Sequence, residues 1–190
     1  AGANIIKFQA YKAEKLVSRE HAKSYWDTSE ESETSQYELF KKYETFNRQE
    51  WERIKRACEY NNIGLWLSVF DIELFKDLND LCDGIKIASG DITFKRLIEK
   101  SLTTNKPVII STGGSTNEEI QEINERLANK NAASLFCRLV YPTKDEEGNL
   151  QVFSKMREKY RSMKGISDHF RLENGESVIL IIRIIPRATP

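Results

Sequence analysis

A lysine, a serine, a glycine and an aspartate lie together in the segment Lys86–Asp91 (KIASGD), between an apolar run and a helical pattern. Glycine lets the chain turn tightly, and the helix that follows offers its positive N-terminal end to an anion. Lys86 adds a positive charge, and Asp91 adds a carboxylate that can handle a proton or a metal. The segment therefore predicts an anion-binding catalytic site at a strand mouth. The alternative is an ordinary strand-to-helix turn in which Lys86 is a surface charge.

Composition limits the classes of protein to consider. The chain has 190 residues, 39% of them hydrophobic, with 29 lysines and arginines against 29 aspartates and glutamates. This is enough for one sizeable core or part of a larger domain, and the balanced charge argues against a nucleic-acid partner. No apolar run is long enough for a membrane span or resembles a signal peptide. Because Cys58, Cys82 and Cys137 are widely spaced in apolar surroundings, we expect reduced core cysteines of a cytoplasmic protein.

Apolar strand-like runs alternate with helical patterns, which predicts a parallel sheet with crossover helices. We expect strands at 4–9, 64–70, 84–88, 107–111, 133–138 and 163–167. We expect helices at 37–43, 48–61, 73–81, 93–103, 116–128 and 151–162. The pairs Asn47 with Glu50 and Ser115 with Glu118 each have the spacing of a capping box, which marks a helix start.

Polar residues cluster at or just beyond the ends of these strands, which favours a (β/α)8 barrel of the α/β class over an open doubly wound sheet. In such a barrel the strand ends converge on one face, where active sites are built. The residues in question are Lys7, Gln9, Ser68, Lys86, Ser89, Asp91, Ser111, Thr112, Tyr141, Ser167, Asp168 and His169. No GxGxxG follows the first strand, so nothing supports a dinucleotide site. The pair Gly113–Gly114 is compatible with a phosphate cradle, but a glycine turn leading into a helix is favoured.

Five segments, in order, resemble motifs of the sialic acid synthase family, which includes legionaminic acid, pseudaminic acid and spore-coat polysaccharide synthases. They are IKFQAYKAEKLV at 6–17, KIASGD at 86–91, KPVIISTG at 106–113, YPT at 141–143 and GISDH at 165–169. Five motifs in the expected order are far more specific than any one of them. The resemblance implies a TIM barrel that condenses phosphoenolpyruvate with an N-acylated hexosamine, such as N-acetylmannosamine, to a nonulosonic acid. It also implies a divalent metal, manganese or magnesium.

The resemblance assigns roles to individual residues. Phosphoenolpyruvate carries a carboxylate and a phosphate, so its site needs cations and directed hydrogen-bond donors. The residues implied to bind these anions are Lys7, Ser68, Lys86, Ser89 and Ser167, with Gln9 and Tyr141 nearer the sugar. Asp91 takes the position of the family's acid/base carboxylate, usually a glutamate, and with Lys86 forms the expected catalytic pair. His169 is the implied metal ligand, although a lone histidine is more often structural. His21 lies in a polar connection and is expected to be exposed.

Departures from the family pattern favour an altered site. Leu139 replaces an asparagine that would contact phosphate, and Ser68-Val69-Phe70 replaces a serine-threonine-proline-phenylalanine motif. We expect residues 1–170 to form a partial barrel that lacks the first strand, and residues 171–190 to be a divergent tail with an aliphatic run at 178–185. That tail has no second metal-binding histidine, so we expect weak metal binding. The antifreeze-like domain that swaps between subunits in family dimers is expected to be absent, which leaves a homodimer open.

Three hypotheses about function therefore stay open. The first is a synthase of the sialic acid type whose site is completed by other segments or another chain. The second is a non-catalytic remnant that binds a phosphorylated ligand or serves as an interaction module. The third, a related barrel synthase acting on a sugar phosphate, is less favoured because KIASGD and GISDH together point to nonulosonate synthases.

Overall fold

A computed structural model of the chain describes residues 2–20, 23–24, 32–44, 46–140, 143–144 and 147–170. The strands are β1 Ile5–Ala10, β2 Gly64–Val69, β3 Gly84–Ile87, β4 Val108–Ser111, β5 Ala132–Cys137 and β6 Met163–Ser167. The α-helices are α1 Ala13–Leu16, α2 Gln36–Tyr43, α3 Arg48–Tyr60, α4 Ile72–Leu78, α5 Lys95–Leu102, α6 Asn117–Leu127 and α7 Leu150–Lys159. Short 3-10 turns cover Asn79–Leu81 and Ser89–Asp91. The predicted elements are confirmed. For most strands and helices, the observed start or end differs from the predicted one by one to three residues.

The strands follow one another in the sheet in the same order as in the chain, from β1 to β6. The pairs β1 with β2, β4 with β5, and β5 with β6 are parallel. Sequential order is that of a (β/α)8 barrel, whereas a doubly wound sheet reverses direction at a switch point. The α/β prediction of the barrel type is therefore confirmed. The chain divides into two compact units, residues 1–85 and 86–190, which are described in turn.

In the first unit, helix α3 begins where the sequence predicts. The Asn47 side chain accepts a hydrogen bond from the Glu50 N–H at 3.1 Å, and the Glu50 carboxylate accepts one from the Asn47 N–H at 2.7 Å. Phe46, just before the cap, packs edge to face on Trp51 with 5.2 Å between ring centroids. This is a hydrophobic staple, which sets the angle at which the chain enters the helix. The buried face of α3 then packs against β2 and helps to hold β2 in place.

A short helix that the sequence patterns did not predict follows β1. Helix α1 carries Ala13, which is fully buried, and its first N–H donates to the Glu44 carboxylate at 2.7 Å. The same carboxylate pairs with Lys12 at 3.1 Å and Lys41 at 3.3 Å, and its side chain is 8% exposed. Burial would raise the pKa of Glu44, but the hydrogen bonds from Ala13, Lys12 and Lys41 outweigh it and lower that pKa. Glu44 therefore ties the start of α1 to the end of α2.

In the second unit, helix α6 starts one residue later than predicted. The capping box is formed by Thr116 and Glu119, so the prediction of Ser115 and Glu118 is wrong. Both pairs match the same spacing, and the sequence pattern cannot choose between them. The backbone chooses: Gly114 turns the chain with a φ of +71°, and Thr116 is the extended residue that enters the helix.

A buried polar contact in the second unit joins helix α6 to the sheet. Asn124 on α6 accepts a hydrogen bond from the Ser134 hydroxyl on β5 at 2.8 Å, and Ser134 is fully buried. The Asn124 amide nitrogen donates to the Ile120 carbonyl at 2.7 Å. Because a buried polar group left unpaired is costly, this pair fixes how α6 lies on the sheet.

The three cysteines are free and buried, as predicted. Among the described residues no helix combines the length and the apolar character needed to cross a bilayer.

Candidate active site

The turn after β3 brings the predicted KIASGD segment against the glycine turn after β4. Ser89 is 9% exposed, and its hydroxyl oxygen accepts a hydrogen bond from the Gly113 N–H at 3.0 Å. The turn itself is closed by the Asp91 N–H, which donates to the Ala88 carbonyl at 3.0 Å. Both serine and glycine belong to motifs that the sequence analysis singled out. The structure joins the two motifs through one hydrogen bond.

Gly113 has to be glycine because of its neighbours. A Cβ at this position would lie 2.8 Å from the Cys137 sulfur and 3.1 Å from the Ser89 hydroxyl oxygen, closer than side-chain atoms normally approach. Its N–H is already used by Ser89, which agrees with the favoured interpretation of a glycine turn. Beside it, Leu139 is 54% exposed and packs over Gly114, so an apolar side chain lies where the family pattern has asparagine.

Cys137 at the end of β5 links Ser89 to the segment after β6. Its sulfur lies 3.5 Å from the Ser89 hydroxyl oxygen and 3.7 and 3.9 Å from Nδ1 and Nε2 of His169. Nδ1 of His169 is 2.6 Å from the Arg138 carbonyl oxygen, and Nε2 is 3.5 Å from the Ser167 hydroxyl. A carbonyl only accepts, so Nδ1 carries a hydrogen and donates it. Two predicted site residues, Ser89 and His169, are thus connected through one thiol, and Ser167 joins them through the His169 ring.

Asp91 lies half-buried two residues after Ser89, and one of its carboxylate oxygens is buried with no hydrogen-bond partner in the described part of the chain. Burial raises the pKa of Asp91 to about 6. A carboxyl group with such a pKa can hold or release a proton near neutrality, which suits acid/base work. Lys86 is also half-buried and lies on β3, three residues before Ser89.

Ser111, the last residue of β4, also belongs to the site. It is 1% exposed, and its hydroxyl has no hydrogen-bond partner among the described residues. Buried hydroxyls are nearly always paired, so an unpaired one next to a glycine turn is a candidate ligand group. From the sequence, Ser111 is one of the polar residues at strand ends, but no motif predicts a role for it. Its neighbour Thr112 differs, because its hydroxyl donates to the Leu135 carbonyl at 3.0 Å.

Three predicted residues lie in the first unit. Lys7 and Gln9 are on β1, and Gln9 is in register with Ser68 on the parallel strand β2. Ser68 is 2% exposed and its hydroxyl has no partner in the residues that the structure covers. The Lys7 side chain is exposed, yet desolvation by the protein around its ammonium lowers the pKa of Lys7. Gln9 lines an open cleft with Lys12, Glu44, Phe46 and Trp51.

The remaining predictions concern residues outside the described ranges, or a pair of residues that belong to different units. Tyr141, His21 and the tail 171–190 lie outside the described residues. Lys7 belongs to the first unit and Lys86 to the second, so their convergence on one anion stays a prediction.

The next feature is the set of side chains that could ligate manganese or magnesium. No group of three or more histidine, cysteine, aspartate and glutamate side chains that could hold a metal ion occurs in the described ranges. His169 is close to a thiol and a hydroxyl, whereas magnesium and manganese prefer several oxygen ligands. The residues described do not by themselves fit a hard divalent ion.

Comparisons with known proteins give the family of this chain. The family model described as the NeuB family matches residues 1–180. The chain belongs to the NeuB family. A relative from Campylobacter jejuni, N,N'-diacetyllegionaminic acid synthase, is 32% identical over 178 residues, which are 90% of this chain and 53% of the relative. An uncharacterized protein of Methanocaldococcus jannaschii is 34% identical over 172 residues, which are 88% of this chain and 47% of that protein.

A solved structure agrees with the fold. The N-acetylneuraminic acid synthetase of Leptospira borgpetersenii, in complex with citrate, superposes with a TM-score of 0.72 at 26% identity. The match covers 88% of this chain and 55% of that one. The chain thus spans about half the length of the relatives it matches. The resemblance inferred from the five motifs is confirmed.

Proposed function

We propose that this chain forms the anion-binding part of a nonulosonic acid synthase site, which condenses phosphoenolpyruvate with an N-acylated hexosamine such as N-acetylmannosamine. The single observation that supports this most is the joined turn, in which the Gly113 N–H donates to the Ser89 hydroxyl, two residues after the buried, unpaired hydroxyl of Ser111. Oriented hydroxyls at strand ends supply the directed donors that a carboxylate or phosphate requires. Membership of the NeuB family supports the same substrate class.

In the overall reaction, the enol carbon of phosphoenolpyruvate bonds to the aldehyde carbon of the sugar, the aldehyde oxygen takes up a proton, and water replaces phosphate. Lys86, Ser89 and Ser167 are proposed to bind the anionic substrate, together with Lys7 and Ser68 from the first unit. Gln9 and Tyr141 are proposed to contact the sugar.

Asp91 is proposed to carry the proton to the aldehyde oxygen. Its carboxyl, with a pKa of about 6, is partly protonated near neutral pH. A general acid works best when its pKa lies near the working pH. Manganese or magnesium, which the family resemblance implies, would act as a Lewis acid only where further ligands join His169, the one imidazole that the described residues offer.

The test is calorimetric titration of phosphoenolpyruvate into the whole chain and two lysine variants. Lys86→Ala should weaken binding by roughly tenfold to a hundredfold, because a charge-assisted hydrogen bond in a partly desolvated site contributes ~1.5–3 kcal/mol. Lys12→Ala is the matched control, since Lys12 is 44% exposed by side chain and pairs with Glu44. Equal small losses for both variants would mean that only diffuse surface charge is measured, and the proposed site would be wrong.

The second arm measures product formation from phosphoenolpyruvate and N-acetylmannosamine with added manganese. Turnover would establish the synthase. Binding without turnover would favour the alternative, a non-catalytic module that holds a phosphorylated ligand.

A further inference from the structure

The Cys137 sulfur occupies the centre of the second unit's site. The residue is 6% exposed and ends β5, and its sulfur contacts the Ser89 hydroxyl at 3.5 Å and both ring nitrogens of His169 within 3.9 Å. The thiol also lies 3.4 Å from the Arg138 carbonyl oxygen, to which it donates. One atom therefore touches side chains that follow β3 and β6.

The same sulfur also contacts the turn after β4. A Cβ on Gly113 would come within 2.8 Å of it, so the sulfur already lies against the Gly113 backbone. That backbone N–H is the donor that holds Ser89. Interiors are packed like crystals, so a sulfur between three segments sets their separation. Removing it leaves a void into which Ser89, Gly113 and His169 are free to shift.

We propose that Cys137 is a positioning residue of the site: its thiol holds the Ser89 hydroxyl and the His169 ring at a set distance from the Gly113 turn. This inference rests on the proposed function, in which Ser89 binds the anion. Cys137 itself need not touch substrate. Its role is to keep the Ser89 oxygen, already bonded to Gly113, directed towards the ligand.

The first experiment compares Cys137→Ser and Cys137→Ala with Cys82→Ala. Cys82 is a matched control because it is 4% exposed and forms no disulfide, and its thiol donates to the Asn79 carbonyl in its own segment at 3.4 Å. Both alanine variants remove one buried sulfur and should lower Tm by similar amounts. Only Cys137→Ala should raise the Kd for phosphoenolpyruvate, by about tenfold, which corresponds to ~1.4 kcal/mol. Cys137→Ser, which keeps a hydrogen-bonding atom, should restore most of that affinity.

An unchanged Kd in Cys137→Ala, with the same loss of Tm as in Cys82→Ala, would overturn the proposal and leave the thiol as packing only. Equal losses of affinity in the two alanine variants would do so too, because they would report general destabilisation.

A second measurement separates this proposal from the proposed function. If the unmodified chain binds no phosphoenolpyruvate, the function fails, but positioning is still measured without ligand. In the ligand-free chain Cys137→Ala should speed hydrogen exchange of the Gly113 amide and shift the NMR signals of the His169 ring. Cys82→Ala should change neither. Unchanged exchange at Gly113 and unchanged His169 signals in Cys137→Ala would refute the positioning role.

Discussion

Replacing Asp91 by asparagine should stabilise the chain at high pH and not at low pH. The carboxyl is half-buried, one of its oxygens has no partner among the described residues, and burial raises the pKa of Asp91 from 3.8 to about 6. Between these two values the folded chain binds more protons than the unfolded chain, so the stability of the native protein falls as pH rises through that window. An asparagine side chain does not ionise, so the variant does not lose this stability as pH rises.

The size of the effect follows from the shift. About two pKa units at ~1.4 kcal/mol each set an upper limit of ~3 kcal/mol. Because the side chain is only half-buried, solvent screening reduces the expected gain to ~1–1.5 kcal/mol above pH 7. At a pH below both pKa values the carboxyl is protonated in the folded and the unfolded chain alike, and the pH-dependent difference should vanish.

The assay is urea unfolding of the unmodified chain and Asp91→Asn from pH 3 to pH 8, with Glu158→Gln as the control for an exposed carboxylate on α7. The gain of Asp91→Asn should grow between pH 4 and pH 7 while that of Glu158→Gln stays near zero. A gain that is independent of pH, or a loss at pH 8, would show that Asp91 is not desolvated as described. Product formation, where measurable, should fall in Asp91→Asn at every pH.

Three more outcomes are expected. Glu44→Gln should lose ~0.5–1 kcal/mol of unfolding free energy at pH 7, measured by urea unfolding. Because the pKa of Glu44 is lowered in the folded chain, its charge stabilises the fold above about pH 4.5 and ceases to do so as pH falls. A loss that persists at pH 3 would contradict this. Ser134→Ala should cost ~1–3 kcal/mol of unfolding free energy, because it leaves the Asn124 oxygen unpaired. Ser101→Ala should cost less, because Ser101 is equally buried but its hydroxyl bonds within its own helix. Equal losses in the two variants would contradict the paired role of Ser134. Manganese should bind only weakly by calorimetry; tight binding that is abolished in His169→Ala would show that further ligands complete the site.

Local sequence patterns were sufficient to predict the helices, the strands and the family of this chain. The start of α3 follows from Asn47 and Glu50 alone, because a capping box is satisfied within four residues. The alternation of strands and helices predicted the parallel α/β sheet, and five motifs in order predicted the NeuB family. Such features depend on neighbours along the chain, which the sequence shows directly.

Contacts between distant segments were decided by the tertiary structure. Two capping boxes one residue apart fit the start of α6, and only the backbone after Gly114 selects Thr116. Cys137 was predicted as a core cysteine in apolar surroundings; it is buried, but it lies against Ser89 and His169, which are 48 and 32 residues away in sequence. The burial of the Ser111 hydroxyl without a partner among the described residues also depends on contacts between distant segments. Burial and partners depend on how strand ends meet in space, and no local spacing encodes that distance.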